Sequence, residues 1–263
     1  MTSHASTQIR LVPHFRSLQV LRSQRLTPNM QRIVVGGEAL QGFDSRAADD
    51  HVKLFFPNSE GTFVLPELTE HGPRYPHGQP PSPARDYTPR HYDAQAGELV
   101  LDFVLHGDGA ASGWATRAQP GDELVVAGPR GSHLIADDFD CYVLIGDETA
   151  LPAIARRLEE LPEDAVAEVF IEIPEEGDRQ PLHSDAQVTV SWFERNGFDA
   201  ASSTLLEDAL VDFEQPDGDT HYWIATESSR ARMMRKFIEG HLQVPKEWIR
   251  ATGYWKADQD AAG

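Results

Sequence analysis

The pattern of predicted strands and helices changes near residue 138, and this change constrains the fold more than any other feature. Residues 10–135 contain short runs of alternating apolar and polar residues separated by Gly, Pro and Asn, with one helical segment at Ala110–Ala118. This pattern predicts a small antiparallel barrel. After residue 138, apolar strands alternate with segments of helical spacing. That alternation predicts a parallel sheet with helices on both faces.

The predicted elements divide the chain into two units, residues 1–136 and 137–263, with a polar linker near Ile135–Asp140. Six strands are predicted in the first unit: Phe15–Arg25, Met30–Val35, His51–Phe55, Asp86–His91, Glu98–Leu105 and Glu123–Ala127. Five strands are predicted in the second: Cys141–Ile145, Ala167–Ile173, Val188–Phe193, Thr220–Ala225 and Ile249–Trp255. Its predicted helices are Ala150–Leu161, Ser203–Val211 and Ser229–Leu242. Asn58–Ala84, rich in Pro, Gly and His, is predicted to be a long loop.

Composition excludes several classes of function. The net charge of −19 argues against nucleic acid and anionic membranes as partners. No apolar run reaches the roughly 18 residues that span a bilayer, and the N-terminus lacks the apolar core of a secretory signal. We therefore expect a cytoplasmic protein. Its single cysteine, Cys141, excludes a disulfide within the chain, and no histidine spacing predicts a metal site.

The segment Arg85-Asp86-Tyr87-Thr88 combines an arginine, an aromatic ring and a hydroxyl at the start of one predicted strand. A guanidinium grips phosphate with two parallel hydrogen bonds. A ring offers a stacking plane, and a hydroxyl can bond the polar edge of a heterocycle. We expect Arg85, Tyr87 and Thr88 to act together on a flavin nucleotide. An exposed strand with a surface arginine is the alternative.

A glycine-rich turn, His106-Gly107-Asp108-Gly109, leads into a short predicted helix that contains Ala111 and Ser112. The first backbone N–H groups of a helix have no partner within it and bind phosphate well. Glycines allow the backbone to approach a ligand closely. Together with the strand above, this turn predicts a flavin site, and a flavin fixes the chemistry as electron transfer.

Two acidic segments follow predicted strands of the parallel sheet, where ligands bind in such folds. Asp147, Glu148 and Thr149 follow the first strand after Gly146, in the usual place of a dinucleotide site. The sequence there lacks the G-x-G-x-x-G fingerprint, and a helix cap at Thr149 explains the same residues. Glu227 follows a later strand and predicts a contact to a nicotinamide nucleotide. An acid at a helix start is its alternative.

Three basic residues are candidates for an anionic substrate. Lys53 lies in the middle of a predicted strand, where a lysine reaching towards solvent is the alternative. Arg130 lies in Gly128-Pro129-Arg130-Gly131, which an ordinary turn also explains. Lys256 follows two aromatic residues, Tyr254 and Trp255. Those aromatics either cover the end of the sheet or pack beside the flavin, and the sequence does not decide between these.

The chain resembles the siderophore-interacting protein family of FAD-dependent ferric-siderophore reductases, which are similar to the wider ferredoxin-reductase-like flavoproteins. Segments that carry the resemblance occur in the family's order and span nearly the whole chain. They are HVKLFFP (51–57), RDYTPR (85–90), HGDGAASGWA (106–115), GPRG (128–131), GDETALPAI (146–154), ATESSRARMMR (225–235) and GYWK (253–256). The resemblance implies an antiparallel six-stranded FAD-binding barrel followed by a Rossmann-like parallel sheet that binds NADH or NADPH.

The resemblance also implies roles for individual residues. It places Arg85, Tyr87 and Thr88 at the isoalloxazine and phosphates of FAD, and residues 106–112, including His106, Gly109, Ala111 and Ser112, at its pyrophosphate. It places Asp147, Glu148 and Thr149 on the nicotinamide-nucleotide side. Lys53 and Arg130 match basic positions that receive the anionic ferric siderophore, and Lys256 is expected to join them. Thr226 departs from the family, which usually has glycine there, so its side chain puts NAD(P)H binding in question.

The resemblance implies electron transfer from NAD(P)H through FAD to a ferric siderophore, with release of Fe²⁺. Two other functions stay open at this point. One is a flavin reductase, or a reductase component that serves another protein. The other is a protein that binds ferric siderophore without redox turnover. We expect a monomer.

Overall fold

The computed structural model describes residues 4–70, 72–107 and 109–257, apart from the side chain of Leu68. Its N-terminal half consists mainly of a curled antiparallel sheet. The elements of this half are β1 (Thr7–Arg10), β2 (Phe15–Thr27), β3 (Met30–Gly36), β4 (Val52–Phe55), β5 (Glu67–Thr69), β6 (Gly72–Arg74), β7 (Ala84–Tyr87), β8 (His91–Asp93), β9 (Glu98–Val104), α1 (Ala110–Arg117), β10 (Glu123–Ala127) and β11 (Gly131–Leu134).

The curled sheet has seven strands in the order β7-β4-β10-β2-β3-β9-β8, so the prediction of six strands was wrong by one. The predicted strand Asp86–His91 is in fact two strands, β7 and β8, which lie at opposite edges of the sheet. Pro89 lies between them and has no N–H to continue a ladder. The backbone N–H of Arg90 then bonds to the Val100 carbonyl at 2.9 Å, which starts the new pairing.

The segment predicted as a long loop, Asn58–Ala84, contains a small hairpin formed by β5 and β6. The prediction was wrong there because these strands are only three residues long and carry no clear alternation. Asn58 closes the base of the segment: its side-chain amide donates to the Pro80 carbonyl at 2.8 Å. The sequence also missed the β1–β11 pair, which forms a separate two-stranded sheet.

The C-terminal half is a five-stranded parallel sheet, as predicted, in the order β14-β13-β12-β15-β16. Its elements are β12 (Cys141–Asp147), α2 (Leu151–Glu160), β13 (Val166–Ile173), β14 (Gln187–Glu194), α3 (Leu205–Asp212), β15 (Thr220–Glu227), α4 (Ser228–Gly240) and β16 (Ile249–Trp255). Every residue of β12 and β15 is buried, because helices cover both faces of the sheet. Within the described ranges, no helix combines the length and apolar character that a bilayer crossing requires.

Polar contacts hold the two halves together. Arg156 of α2 donates to the Ser45 and Pro89 carbonyls of the N-terminal half at 3.0 and 3.1 Å. Arg90 and Glu159 form a bidentate ion pair with N–O distances of 2.8 and 2.5 Å. Because the strand order changes direction beside β12, the carboxyl ends of β12 and β15 form a crevice, which faces the N-terminal sheet.

Candidate functional site

A cleft of about 900 Å³ lies between the two halves, within the size range of small-molecule sites. It is lined by most of the residues that the sequence singled out for a cofactor. These are Arg85, Tyr87, Thr88, His106, Gly109, Ala111, Ser112, Glu148 and Thr149. The cleft therefore brings the arginine–aromatic–hydroxyl segment, the glycine-rich turn and the end of the parallel sheet into one space.

The wall formed by β7 presents a guanidinium, a ring and a hydroxyl. Arg85 is exposed, and its described hydrogen bond is a single one, from Nη1 to the Ala84 carbonyl at 3.0 Å. Most of its donors are therefore available to an anion. The Tyr87 ring packs against Phe103 with centroids 4.5 Å apart, and burial raises the pKa of its hydroxyl. Thr88 follows the strand and lines the cleft together with Tyr254 of β16.

The glycine-rich turn is braced from within by Ser112. Its Oγ accepts a hydrogen bond from the His106 N–H at 3.0 Å and donates to the Gly107 carbonyl at 3.4 Å. Gly107 has a φ of +50°, and a Cβ there or at Gly109 would meet no atom within 4 Å. Among the described residues no side chain caps the start of α1, and its first N–H groups border the cleft, where a phosphate can enter. Asp108 lies outside the described residues.

The wall formed by the parallel sheet carries a buried chain of charges. Glu148 forms a bidentate ion pair with Arg195, with 2.8 Å between Nη1 and Oε2. Arg195 also contacts Glu172 at 3.1 Å, and Glu172 in turn pairs with Arg230. Burial raises the pKa of Glu148, and the hydrogen bond from Arg195 opposes this shift. Arg195 was not among the predicted site residues, although its position after a predicted strand was the signal that could have identified it.

Asp147 and Glu227 do not line the cleft. Asp147 is 1% exposed, and its carboxylate accepts hydrogen bonds from Thr149, Thr226 and Trp255. Glu227 caps α4 by accepting from the backbone N–H groups of Ser229 and Arg230. Burial alone would raise the pKa of Glu227, but these bonds and the Ser229 hydroxyl lower it. Both carboxylates are therefore bonded to neighbouring elements of the protein itself.

The three predicted substrate cations lie outside the lining of the cleft. Lys53 is on β4, next to β7, and its Nζ bonds to Asp86 of the cleft wall at 2.7 Å. Arg130 is exposed in the turn between β10 and β11, and this turn passes beside His51, a residue of the lining. Lys256 is exposed between Trp255 and Ala257, which both line the cleft.

The C-terminal aromatic residues lie at the edge of the sheet and also line the cleft. They are Tyr254 and Trp255 of β16, which pairs in parallel with β15. The Tyr254 ring meets Trp223 edge to face, with centroids 6.1 Å apart, and burial raises the pKa of its hydroxyl. Arg250 of the same strand also lines the cleft and pairs with Asp49, a contact that the sequence did not predict.

A curled antiparallel sheet followed by a parallel sheet, with a cleft between them, defines a protein of the ferredoxin-reductase-like fold. The ferredoxin-NADP⁺ reductase of Plasmodium falciparum shares this fold with a TM-score of 0.61 and 12% identity, over 94% of this chain and 99% of that one. At such identity the likeness concerns the fold alone.

The chain belongs to the siderophore-interacting protein family. Residues 19–133 match the siderophore-interacting FAD-binding domain, and residues 139–258 match the siderophore-interacting protein model. The NADPH-dependent ferric-chelate reductase of Escherichia coli is 39% identical over 92% of this chain and 93% of its own length. The ferric vibriobactin reductase of Vibrio cholerae is 32% identical, over 92% and 89%. A siderophore utilization protein from T. fusca superposes with a TM-score of 0.89 at 38% identity, over 96% of this chain and 97% of that one.

Family membership confirms the expectation of an FAD-dependent oxidoreductase, and the residues of the cleft fit that cofactor. Arg85 offers unused donors to a phosphate, and the open space at Gly107 and Gly109 leaves room for a pyrophosphate at the start of α1. The rings of Tyr87 and Tyr254 supply apolar surface for a flat heterocycle.

Proposed function

We propose that this protein transfers electrons from NADH or NADPH, through FAD, to a ferric siderophore and so releases Fe²⁺. The observation that carries the proposal is the single cleft in which the β7 wall and the glycine-rich turn face the carboxyl ends of β12 and β15. Bound FAD supplies the conversion of a two-electron hydride donor into one-electron transfers. Hard oxygen ligands hold Fe²⁺ less tightly than Fe³⁺. The substrate is therefore a small iron chelate.

The residues of the N-terminal half bind the FAD. Arg85 holds a phosphate, and Tyr87 and Thr88 contact the isoalloxazine region. The pyrophosphate lies at the turn braced by Ser112, where the backbone around His106, Gly109 and Ala111 is open to the cleft. These groups act by orienting the cofactor and by balancing its charge, and none of them transfers a proton.

The nicotinamide nucleotide enters from the parallel sheet. Glu148 and Thr149 line this side of the cleft and are its proposed contacts, whereas Asp147 and Glu227 act by positioning neighbouring residues. Thr226 does not line the cleft. Its side chain is fully buried, and its hydroxyl bonds to Asp147 at 2.7 Å. The departure from the family pattern is therefore compatible with NAD(P)H binding.

Lys53, Arg130 and Lys256 form the proposed cationic rim that attracts an anionic ferric siderophore. A net charge of −19 repels such a substrate at long range, so local cations have to offset that repulsion. The Asp86 carboxylate beside Lys53 holds the ammonium group near the cleft wall, and its negative charge partly offsets the positive charge that Lys53 adds to the rim. A cytoplasmic location and a monomeric state stay predictions.

Replacing Lys53 and Arg130 by Ala together is expected to raise KM about tenfold for an anionic ferric siderophore, from the typical strength of two exposed charge contacts. KM for a neutral ferric chelate is expected to stay nearly constant, because no charge attraction is lost. Lys236→Ala, on the exposed side of α4, is the matched control. Equal effects on both chelates would contradict an electrostatic role for the rim.

Ser112→Ala is expected to weaken FAD binding about fivefold, because the hydroxyl makes hydrogen bonds to both His106 and Gly107. Thr116→Val is the control, since the Thr116 hydroxyl bonds to the Ser112 carbonyl within the same helix and does not contact the turn. Titration of the apoprotein with FAD measures both affinities. Unchanged affinity in Ser112→Ala would show that the brace does not support cofactor binding.

Steady-state turnover tests the proposed function against the two functions that stayed open. The assay compares ferric siderophores with free flavin as acceptors for the FAD-loaded protein, using NADH and NADPH in turn. The proposal predicts faster turnover with ferric siderophores. Faster turnover with free flavin would favour a flavin reductase. Tight chelate binding with negligible oxidation of both donors would favour a binding protein.

A further inference from the structure

A buried carboxylate lies under the C-terminal strand, at the point where β12 and β15 end. Asp147 Oδ1 accepts hydrogen bonds from the Thr149 N–H at 2.9 Å and the Thr149 hydroxyl at 2.5 Å. Asp147 Oδ2 accepts from the Thr226 hydroxyl and from the Trp255 indole N–H, both at 2.7 Å. Four donors thus surround a side chain that is 1% exposed. This carboxylate links three segments that are distant in sequence.

The pairing of β15 with β16 contains an irregularity beside this carboxylate. Thr226 is opposite Gly253, but Glu227 is opposite Trp255, so Tyr254 is an extra residue in β16. In a regular strand, adjacent side chains point to opposite faces, and a bulge changes that direction. The bulge explains how Tyr254 and Trp255 both line the cleft, with the Trp255 indole bonded to Asp147.

The backbone of the tail is also tightly packed. The Ser228 hydroxyl donates to the Trp255 carbonyl at 2.9 Å. A Cβ at Gly253 would clash with Ser228, whose backbone Cα would be 2.8 Å away, so glycine allows the strand to approach the start of α4 this closely. Residues 249–257, the tail, therefore belong to the folded wall of the cleft, and contacts on the side away from the cleft hold Tyr254 and Trp255 in place.

We propose that Asp147, Thr226 and Trp255 form a tail lock that holds Tyr254 and Trp255 in place as part of the cleft wall. Asp147 is a positioning residue in this lock. It holds the indole of Trp255, and the bulge next to that residue directs the Tyr254 side chain to the cleft as well. Thr226 supplies a hydroxyl that the glycine usual at this position cannot offer. We also expect the lock to affect the affinity for a nicotinamide nucleotide. That effect rests on the proposed function, whereas the lock itself does not.

The lock is tested with two substitutions at one position and a matched control on the same strand. Thr226→Val removes the hydroxyl and keeps the shape, whereas Thr226→Ser restores the hydroxyl. Thr220→Val makes the same change at another fully buried threonine of β15, whose hydroxyl has no hydrogen-bond partner in the described structure. Hydrogen exchange of residues 249–257 is measured in the apoprotein, with no donor or iron present.

Exchange of the tail amides is expected to be roughly tenfold faster in Thr226→Val, the change typical of losing a hydrogen bond to a charged group. Thr226→Ser and Thr220→Val are expected to exchange like the parent protein. Trp255→Phe, which removes the indole N–H, is expected to behave like Thr226→Val. The lock would be overturned if the tail amides exchanged at equal rates in Thr226→Val and Thr220→Val. It would also be overturned if they exchanged faster in Thr226→Ser than in the parent protein.

A second readout separates positioning of the cleft from local stability. Thr226→Val is expected to raise the Kd of NAD⁺ or NADP⁺ about fivefold, measured by the perturbation of the bound flavin spectrum, while Thr220→Val leaves it unchanged. If tail exchange increases and neither nucleotide binds even to the parent protein, the lock stands and the proposed function fails. If nucleotides bind the parent protein and Thr226→Val equally well, the lock does not shape the part of the cleft that binds the nucleotide.

Discussion

Arg85→Ala is expected to weaken FAD binding by about 10- to 100-fold, the range for loss of a charge-assisted hydrogen-bond pair. The guanidinium lies on the cleft wall, and its described hydrogen bond is the one to the Ala84 carbonyl, so it is available for a phosphate. Quenching of flavin fluorescence on titration of the apoprotein measures the change. The melting temperature of the apoprotein is expected to change little, because an exposed side chain is removed.

Two further variants make the Arg85 test specific. Arg22→Ala removes another exposed arginine, which pairs with Glu98 away from the cleft, and is expected to bind FAD normally. Arg85→Lys keeps the charge but loses the planar fork that matches a phosphate, so an intermediate affinity is expected. If Arg85→Ala and Arg22→Ala bind FAD equally well, Arg85 does not hold the cofactor's phosphate.

Arg230→Met is expected to lower the free energy of unfolding by about 3–5 kcal/mol, the usual result of removing one partner from a buried ion pair. Glu172 is completely buried, and Arg230 donates to both of its oxygens at 3.2 and 2.8 Å. Arg195 alone would then have to balance Glu172 as well as Glu148. Denaturant unfolding followed by circular dichroism measures the loss.

Arg232→Met is the matched control for this loss of stability. Arg232 lies on the same helix and is exposed, so the same substitution is expected to change stability by less than about 0.5 kcal/mol. If Arg230→Met lowered the free energy of unfolding only slightly, water or another cation would have to balance the charge of Glu172. Similar losses at both positions would indicate that α4 simply tolerates methionine poorly.

The β7 wall of the cleft could be predicted because the residues that form it are close together in sequence. Arg85, Tyr87 and Thr88 are neighbours, and a short strand places them on one wall whatever the rest of the fold does. The glycine-rich turn is equally local, since Ser112 braces backbone only five and six residues away. Such groups need no knowledge of distant contacts.

The role of Asp147 could not be predicted, because a ligand-binding carboxylate and a buried positioning one look the same after a strand. Its partners Thr226 and Trp255 are 79 and 108 residues away in sequence. Its hydrogen bond with Trp255 depends on the bulge at Tyr254, which no periodicity in the sequence reveals. The division of one predicted strand at Pro89 was missed for a similar reason, since it depends on which strands become partners.

The most direct test of electron transfer follows the visible absorbance of the FAD-loaded protein, without air, through two additions. NADH or NADPH is added first, and a ferric siderophore with a ferrous-specific dye is added next. The proposed function predicts that the flavin band bleaches with at least one donor and then returns, with about two Fe²⁺ formed per FAD because a hydride carries two electrons. A flavin that stays oxidised with both donors, or that stays reduced while no Fe²⁺ forms, would contradict it.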